Sequence, residues 1–268
     1  MPNLKLDDDF QPYYEVHDYT DPWSEEKKET ILFIHGFAEN TRAWYAWIPG
    51  LARKYRLLMY DVRGLGRSGP VDSSFNYSTD LLVDDVVRII NAVVGEPVHV
   101  VSAKSGAITA LRLSATRPDL VKSVILTCPP LVAPGHSDWV PHIDQYGMRS
   151  YVRWTMPSRL GKEASPKCID WWVDLMGTAP ISTAHAYFRW VVTTDPLSDL
   201  KKTKCPVLAI MTNPSPENNT GAGQRSPEVV KKAAPHADVV VFDMDCYHAS
   251  AMAPDRCVQE TIRFLDGI

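Results

Sequence analysis

A mainly parallel β-sheet covered by helices on both faces, interrupted by one helical insertion, is the α/β architecture that this 268-residue sequence predicts. Three observations lead to it. Short β-rich apolar runs alternate with longer stretches of helical period, the pattern of repeated βα units. The length suits one large core carrying an insertion. One stretch, from about 131 to 203, breaks the alternation with closely spaced tryptophans and tyrosines.

In chain order, the expected strands are 13 to 19, 31 to 35, 57 to 61, 98 to 102, 123 to 128, 206 to 211 and 239 to 244. Helices are expected at 42 to 54, 79 to 94, 105 to 116, 226 to 234 and 254 to 265, with Thr79 as the N-cap of the second. Residues 1 to 130 and 204 to 268 then form the core, and 131 to 203 a helical lid. "SDWV", "YVRWTM", "DWWVDL" and "AYFRWVV" lie in that insertion. Indole rings line apolar pockets while keeping a polar edge, so Trp139, Trp154, Trp171 and Trp190 are the expected substrate contacts. The same rings would serve equally as the core of a helical subdomain.

Charge and cysteine usage exclude several classes of function. Lys and Arg total 28 against 32 Asp and Glu and are scattered, so no basic stripe is present to attract nucleic acid or anionic lipid. No stretch reaches the roughly 20 apolar residues of a membrane helix, and "MPNLKLDDDF" lacks a signal-peptide core. A cytoplasmic protein with a small-molecule substrate is expected, and a homodimer stays open. The five cysteines are widely spaced without a CxxC pair, so neither a disulfide framework nor a zinc site is indicated, and no metal or cofactor is expected. "GLGRSG", Gly64 to Gly69, fits the dinucleotide pattern G-x-G-x-x-G but runs into Pro70 and a polar loop, with no helix opening on it to receive a phosphate.

Five segments, in order, carry a family resemblance: "LFIHGF", "YDVRGLGRSG", "SAKSGAITALRLSATRPDLVKSVIL", "CPVLAIMTN" and "YHASAMAPDRCVQETIRFL". Over nearly the whole chain they resemble the α/β-hydrolase superfamily. The resemblance makes the third segment a nucleophile elbow, small-x-nucleophile-x-small, with Ser102, Lys104 and Gly106 in the key places. A lysine therefore stands where the family has its nucleophile. The resemblance places the general base at His248 and the backbone donors of the oxyanion hole at Phe37 and Ser105. His35 is expected to be structural, and the Ser105 side chain to point away from the hole. The usual aspartate after the "CPVLAIM" strand is missing, and Glu217 is the nearest acid to partner His248. Asp243 and Asp245 are expected in local turns.

An amine acylated in the manner of serine would give an amide too stable to turn over. A functional Lys104 is left with imine formation, proton transfer or anion binding. A helix N-terminus and an aromatic roof both favour the neutral amine, which an adjacent acid would oppose. The expected function is that of an enzyme acting on a small apolar carbonyl compound, by lactone or ester hydrolysis or carbon-carbon cleavage beside a ketone. Lys104 and His248 would face each other across the pocket. The alternatives are a non-catalytic ligand-binding or scaffolding member, and a serine hydrolase with a shifted elbow.

Overall fold

The computed structural model describes residues 4–6, 10–133, 138–215 and 226–268. Seven strands appear where apolar runs predicted them: β1 (Tyr14–His17), β2 (Thr30–Ile34), β3 (Arg56–Tyr60), β4 (Val98–Ala103), β5 (Val121–Thr127), β6 (Val207–Thr212) and β7 (Asp238–Phe242). They form one sheet in the order β1-β3-β2-β4-β5-β6-β7. β1 runs antiparallel to β3, and every other pair is parallel. β2, β4 and all but one residue of β5 are buried, as continuous apolar runs covered on both faces require.

The helices of the α/β layers are α1 (Ile48–Leu51), α2 (Thr79–Val93), α3 (Gly106–Thr116), α8 (Pro227–Ala233), α9 (Ala249–Met252) and α10 (Pro254–Leu265). Between β5 and β6 lie α4 (Trp139–Leu160), α5 (Pro166–Met176), α6 (Ile181–Val191) and α7 (Pro196–Lys202). Two expectations need local correction. The helix expected over 42 to 54 is a 3-10 turn, Thr41–Trp44, followed by the single turn of α1, because Pro49 has no N–H to carry a helix through from Tyr45 and sits in the first turn of α1. The N-cap of α2 is Ser78, not Thr79: the Ser78 hydroxyl accepts from the Leu81 N–H at 3.0 Å.

Two features of the inserted helices were not visible in their composition. α4 breaks at Gly147, whose φ of 80° admits a glycine without strain. α7 packs on α3, with Arg112 paired to Asp199 at 2.9 Å and Ser114 bonded to Thr203 at 2.8 Å. The insertion expected over 131 to 203 thus ends with a helix that packs with the core.

The sheet order decides where a ligand fits. Chain connections leave β2 toward β3 on one side and β4 toward β5 on the other, so a crevice opens beyond the carboxyl ends of β2 and β4. The loops after β2 and β4 carry "HGFAEN" and "KSG".

Candidate active site

β4 ends in a sharp turn into α3, and Lys104 is the residue at its crest with φ of 51°. The elbow fits only because its neighbours are small. A Cβ at Gly106 would lie 2.4 Å from the Ile34 carbonyl oxygen and 2.7 Å from that of His35, so α3 starts pressed against the end of β2. Ser102 is fully buried in β4, which leaves Lys104 and Ser105 as the elbow side chains that reach the crevice.

The loop after β2 is braced by His35. Its Nε2 accepts from the Val62 N–H at 2.9 Å, so Nδ1 is the donor, to the Gly36 carbonyl at 2.8 Å. That is a structural role. The "YDVRGLGRSG" loop is likewise committed to structure: Asp61 accepts from the N–H groups of Thr41 and Arg67, both at 2.7 Å, and buried Arg63 pairs with Asp85 at 2.8 and 2.6 Å.

The acid of the site is Glu39, which sequence reasoning missed. It is 1% exposed, and its Oε2 accepts from the Gly36 N–H at 3.0 Å. Its Oε1 lies 3.9 Å from Lys104 Nζ and 3.1 Å from His248 Nε2. The imidazole contact lies off the line of a well-formed hydrogen bond, so the attraction is chiefly between the charge and the ring. Burial alone would raise the Glu39 carboxyl, but His248 and Lys104 outweigh it and hold the group down to about 2. Burial, reinforced by the positive charge of Lys104, pushes His248 down to about 4 against the pull of Glu39. At neutral pH the cluster holds a carboxylate and a neutral imidazole.

His248 is 1% exposed, with Nδ1 3.2 Å from Ser250 Oγ and its ring 4.7 Å from that of Trp172. It sits behind Glu39 and does not line the cavity, so the expectation of an imidazole facing the amine across open space is corrected. The Trp172 ring packs at a tilt on the imidazole. Glu217 lies outside the described residues. Asp243 and Asp245 serve local loop bonds, accepting from Asn213 Nδ2 at 2.8 Å and from the Ser215 N–H at 2.6 Å. The sequence signal for Glu39 was its place three residues after "HG", a position that residue-by-residue comparison with a serine elbow gives no reason to inspect.

The Ser105 hydroxyl accepts from the Phe37 N–H at 3.0 Å. It therefore occupies one of the two donors assigned to the oxyanion hole, contrary to the expectation that it points away. No hydrogen bond joins Ser105 to His248, whose ring partners are Glu39 and Ser250.

The crevice holds about 80 Å³ of free space and is lined at the base by Phe37, Lys104 and Ser105 and above by Trp139, Tyr151 and Phe188. Of the four tryptophans expected there, Trp139 lines it. Trp154 is half exposed and stacks on His142, Trp171 packs on Tyr45 and Trp172, and buried Trp190 packs on Tyr77 and Tyr187. One face of α4 and one of α6 meet the crevice and Trp154 and Trp190 leave from others, while α5, which carries Trp171, contributes no residue to the lining. Of the histidines in the insertion, His142 bonds Ser150 and His185 pairs with Asp144, while His136 lies outside the described residues. Among the described residues no cluster of His, Cys, Asp or Glu has the arrangement of a metal site, and no helix is long and apolar enough to cross a membrane.

A seven-stranded, mostly parallel sheet with an elbow after its central strand and a crevice at the topological switch point defines an α/β-hydrolase fold. Residues 29–180 match the family model described as alpha/beta hydrolase fold, and the chain belongs to that family. It is similar to the enol-lactonase of Burkholderia xenovorans, with a TM-score of 0.83 at 17% identity over 97% of this chain and 98% of that one. The (E)-2-((N-methylformamido)methylene)succinate hydrolase of Acinetobacter baylyi is 22% identical over 89% of this chain and 90% of its own length. A probable lysophospholipase of Arabidopsis thaliana, BODYGUARD 4, is 36% identical over 110 residues, which cover 40% of this chain and 26% of the relative. The chain thus spans about a quarter of that relative's length.

Proposed function

We propose that this chain is an enzyme acting on a small, largely apolar carbonyl compound held beneath the inserted helices, which serve as a cap. In this reading the ammonium of Lys104 meets the carbonyl oxygen in place of a nucleophile meeting the carbon. One observation carries it: Lys104, which lines the crevice, has its Nζ 3.9 Å from buried Glu39, itself 3.1 Å from His248. A carboxylate at that distance favours the charged amine, so proton donation and anion stabilisation are better served than imine formation. His248 and Glu39 act through Lys104 as positioning residues.

Hydrolysis of an ester or lactone and cleavage of a bond beside a ketone both build negative charge on the carbonyl oxygen, as an oxyanion or an enolate. A fixed cation in a water-poor cleft stabilises either. The relatives named as an enol-lactonase and an (E)-2-((N-methylformamido)methylene)succinate hydrolase support the hydrolytic branch by analogy of fold. The test is turnover of a panel of simple lactones, p-nitrophenyl esters and 1,5-diketones by the wild-type chain, Lys104→Met and Lys104→Arg. Removing one stabilising donor should lower kcat/KM by roughly 10²-fold or more in Lys104→Met, with partial retention in Lys104→Arg. Unchanged turnover in Lys104→Met would refute the role, and a borohydride-trapped adduct on Lys104 would replace it with imine chemistry.

One observation favours a second reading, that of a non-catalytic ligand-binding member. The Ser105 hydroxyl already satisfies the Phe37 N–H that a substrate oxygen would use. Saturable binding of the same compounds without turnover of any of them would establish that reading instead.

A further inference from the structure

Arg159, in the last turn of α4, lines the crevice and is 4% exposed. A guanidinium this deeply buried is ordinarily paired with a carboxylate, because an uncompensated buried charge is costly. Among the described residues no carboxylate forms an ion pair with it. Its Nη2 donates to the Tyr151 hydroxyl at 2.6 Å, and its Nε has no hydrogen-bond partner among the described residues. The Trp139 and Tyr151 rings flank it, with centroids 5.7 and 5.5 Å from the guanidinium carbon. Glu39, the carboxylate whose field reaches Arg159, is already engaged by Lys104 and His248.

The position of Arg159 is built. Its carbonyl accepts from the Tyr247 N–H at 3.1 Å, one residue before His248. Two residues further on, a Cβ at Gly161 would lie 2.2 Å from the Asp245 carbonyl oxygen, so the end of α4 is pressed against the loop that carries His248. The guanidinium is held in place by aromatic faces and a phenol, with donor capacity left over and a crevice in front of it.

We infer that Arg159 is the anion-recognition residue of this crevice and that the ligand carries a carboxylate, or an equally compact oxyanion, on the part that sits against Trp139 and Tyr151. Guanidinium forks match carboxylates in plane and spacing, and the flanking rings exclude the water that would otherwise weaken the pair. The inference rests on the reading of the crevice as a substrate site and names the substrate class: a carbonyl compound that is also an anion. Its carbonyl would meet Lys104 and its carboxylate Arg159.

The experiment reads binding, not turnover, so it stands apart from the test of catalysis. 3-Phenylpropanoate and its neutral isostere 3-phenylpropanamide are titrated into the wild-type chain by calorimetry, and thermal unfolding is followed with each. The acid should bind at least tenfold more tightly, a difference of about 1.4 kcal/mol, and raise the unfolding temperature more than the amide does. Arg159→Met should remove the preference of acid over amide, and Arg159→Lys should keep part of it. The wild-type comparison needs no variant to fold. Equal affinities for acid and amide, or no saturable binding of the acid, would overturn the inference. So would a preference that survives in Arg159→Met and disappears in Lys104→Met, which would place the anion on the elbow amine.

Discussion

Replacing Glu39 by Gln removes one charge and almost no volume, so it isolates what that carboxylate contributes. At an effective dielectric constant of about 20, opposite charges 3.9 Å apart attract with about 4 kcal/mol before desolvation is counted. Breaking a buried pair from one side costs about 3–5 kcal/mol, since it leaves the other charge without its partner. For a chain of this size that is a fall of about 6–10 °C in unfolding temperature, measured by circular dichroism near neutral pH. Lys104→Met should also destabilise, whereas the double variant should lose about 0.5–3 kcal/mol less than the sum of the two. Acidity gives an independent reading. Both groups have folded values below their unfolded ones, Glu39 at about 2 against 4.5 and His248 at about 4 against 6.5. Protons therefore bind the unfolded chain more readily. The His248 contribution is whole above pH 6.5 and is lost as the pH falls toward 4, and that of Glu39 is whole above 4.5 and lost toward 2. Each group gives a slope of at most about 1.4 kcal/mol per pH unit in its window. Glu39→Gln should lack the lower window. Strict additivity of the two single variants, or an unchanged acid limb in Glu39→Gln, would refute the charge cluster as described.

Two further outcomes are expected from the elbow. Ser105→Ala frees the Phe37 N–H and should cost about 0.5–1.5 kcal/mol or less in a denaturant titration while leaving or raising any turnover; a loss of 10³-fold or more would instead make Ser105 the nucleophile. Gly106→Ala forces a methyl group 2.4 Å from the Ile34 carbonyl and should destabilise by 3 kcal/mol or more (roughly the upper end for single substitutions), visible as insoluble or early-melting protein.

Alternation of apolar runs with helical stretches was enough to place all seven strands and most helices of the α/β layers, though not the separate helices of the insertion, because a residue's burial in a parallel sheet is written in its own hydrophobicity. Lys104 was placed at the crest of the elbow by resemblance to the family motif, whose small neighbours stand here at 102 and 106. What neither could supply was which side chains meet. Glu39 becomes the partner of Lys104 and His248 only because β2 and β4 are adjacent in the sheet, a fact of strand order and not of sequence distance. Trp139 and Arg159 face the crevice while Trp154 faces solvent, although all three lie on α4, because rotation about the helix axis and the break at Gly147 set their directions. Composition marked out an aromatic insertion, and the family resemblance an elbow bearing an amine. The tertiary structure decided the charge of its surroundings, because electrostatic interaction depends on distance through space, and folding gathers residues 39, 104 and 248 and sets Arg159 within their field.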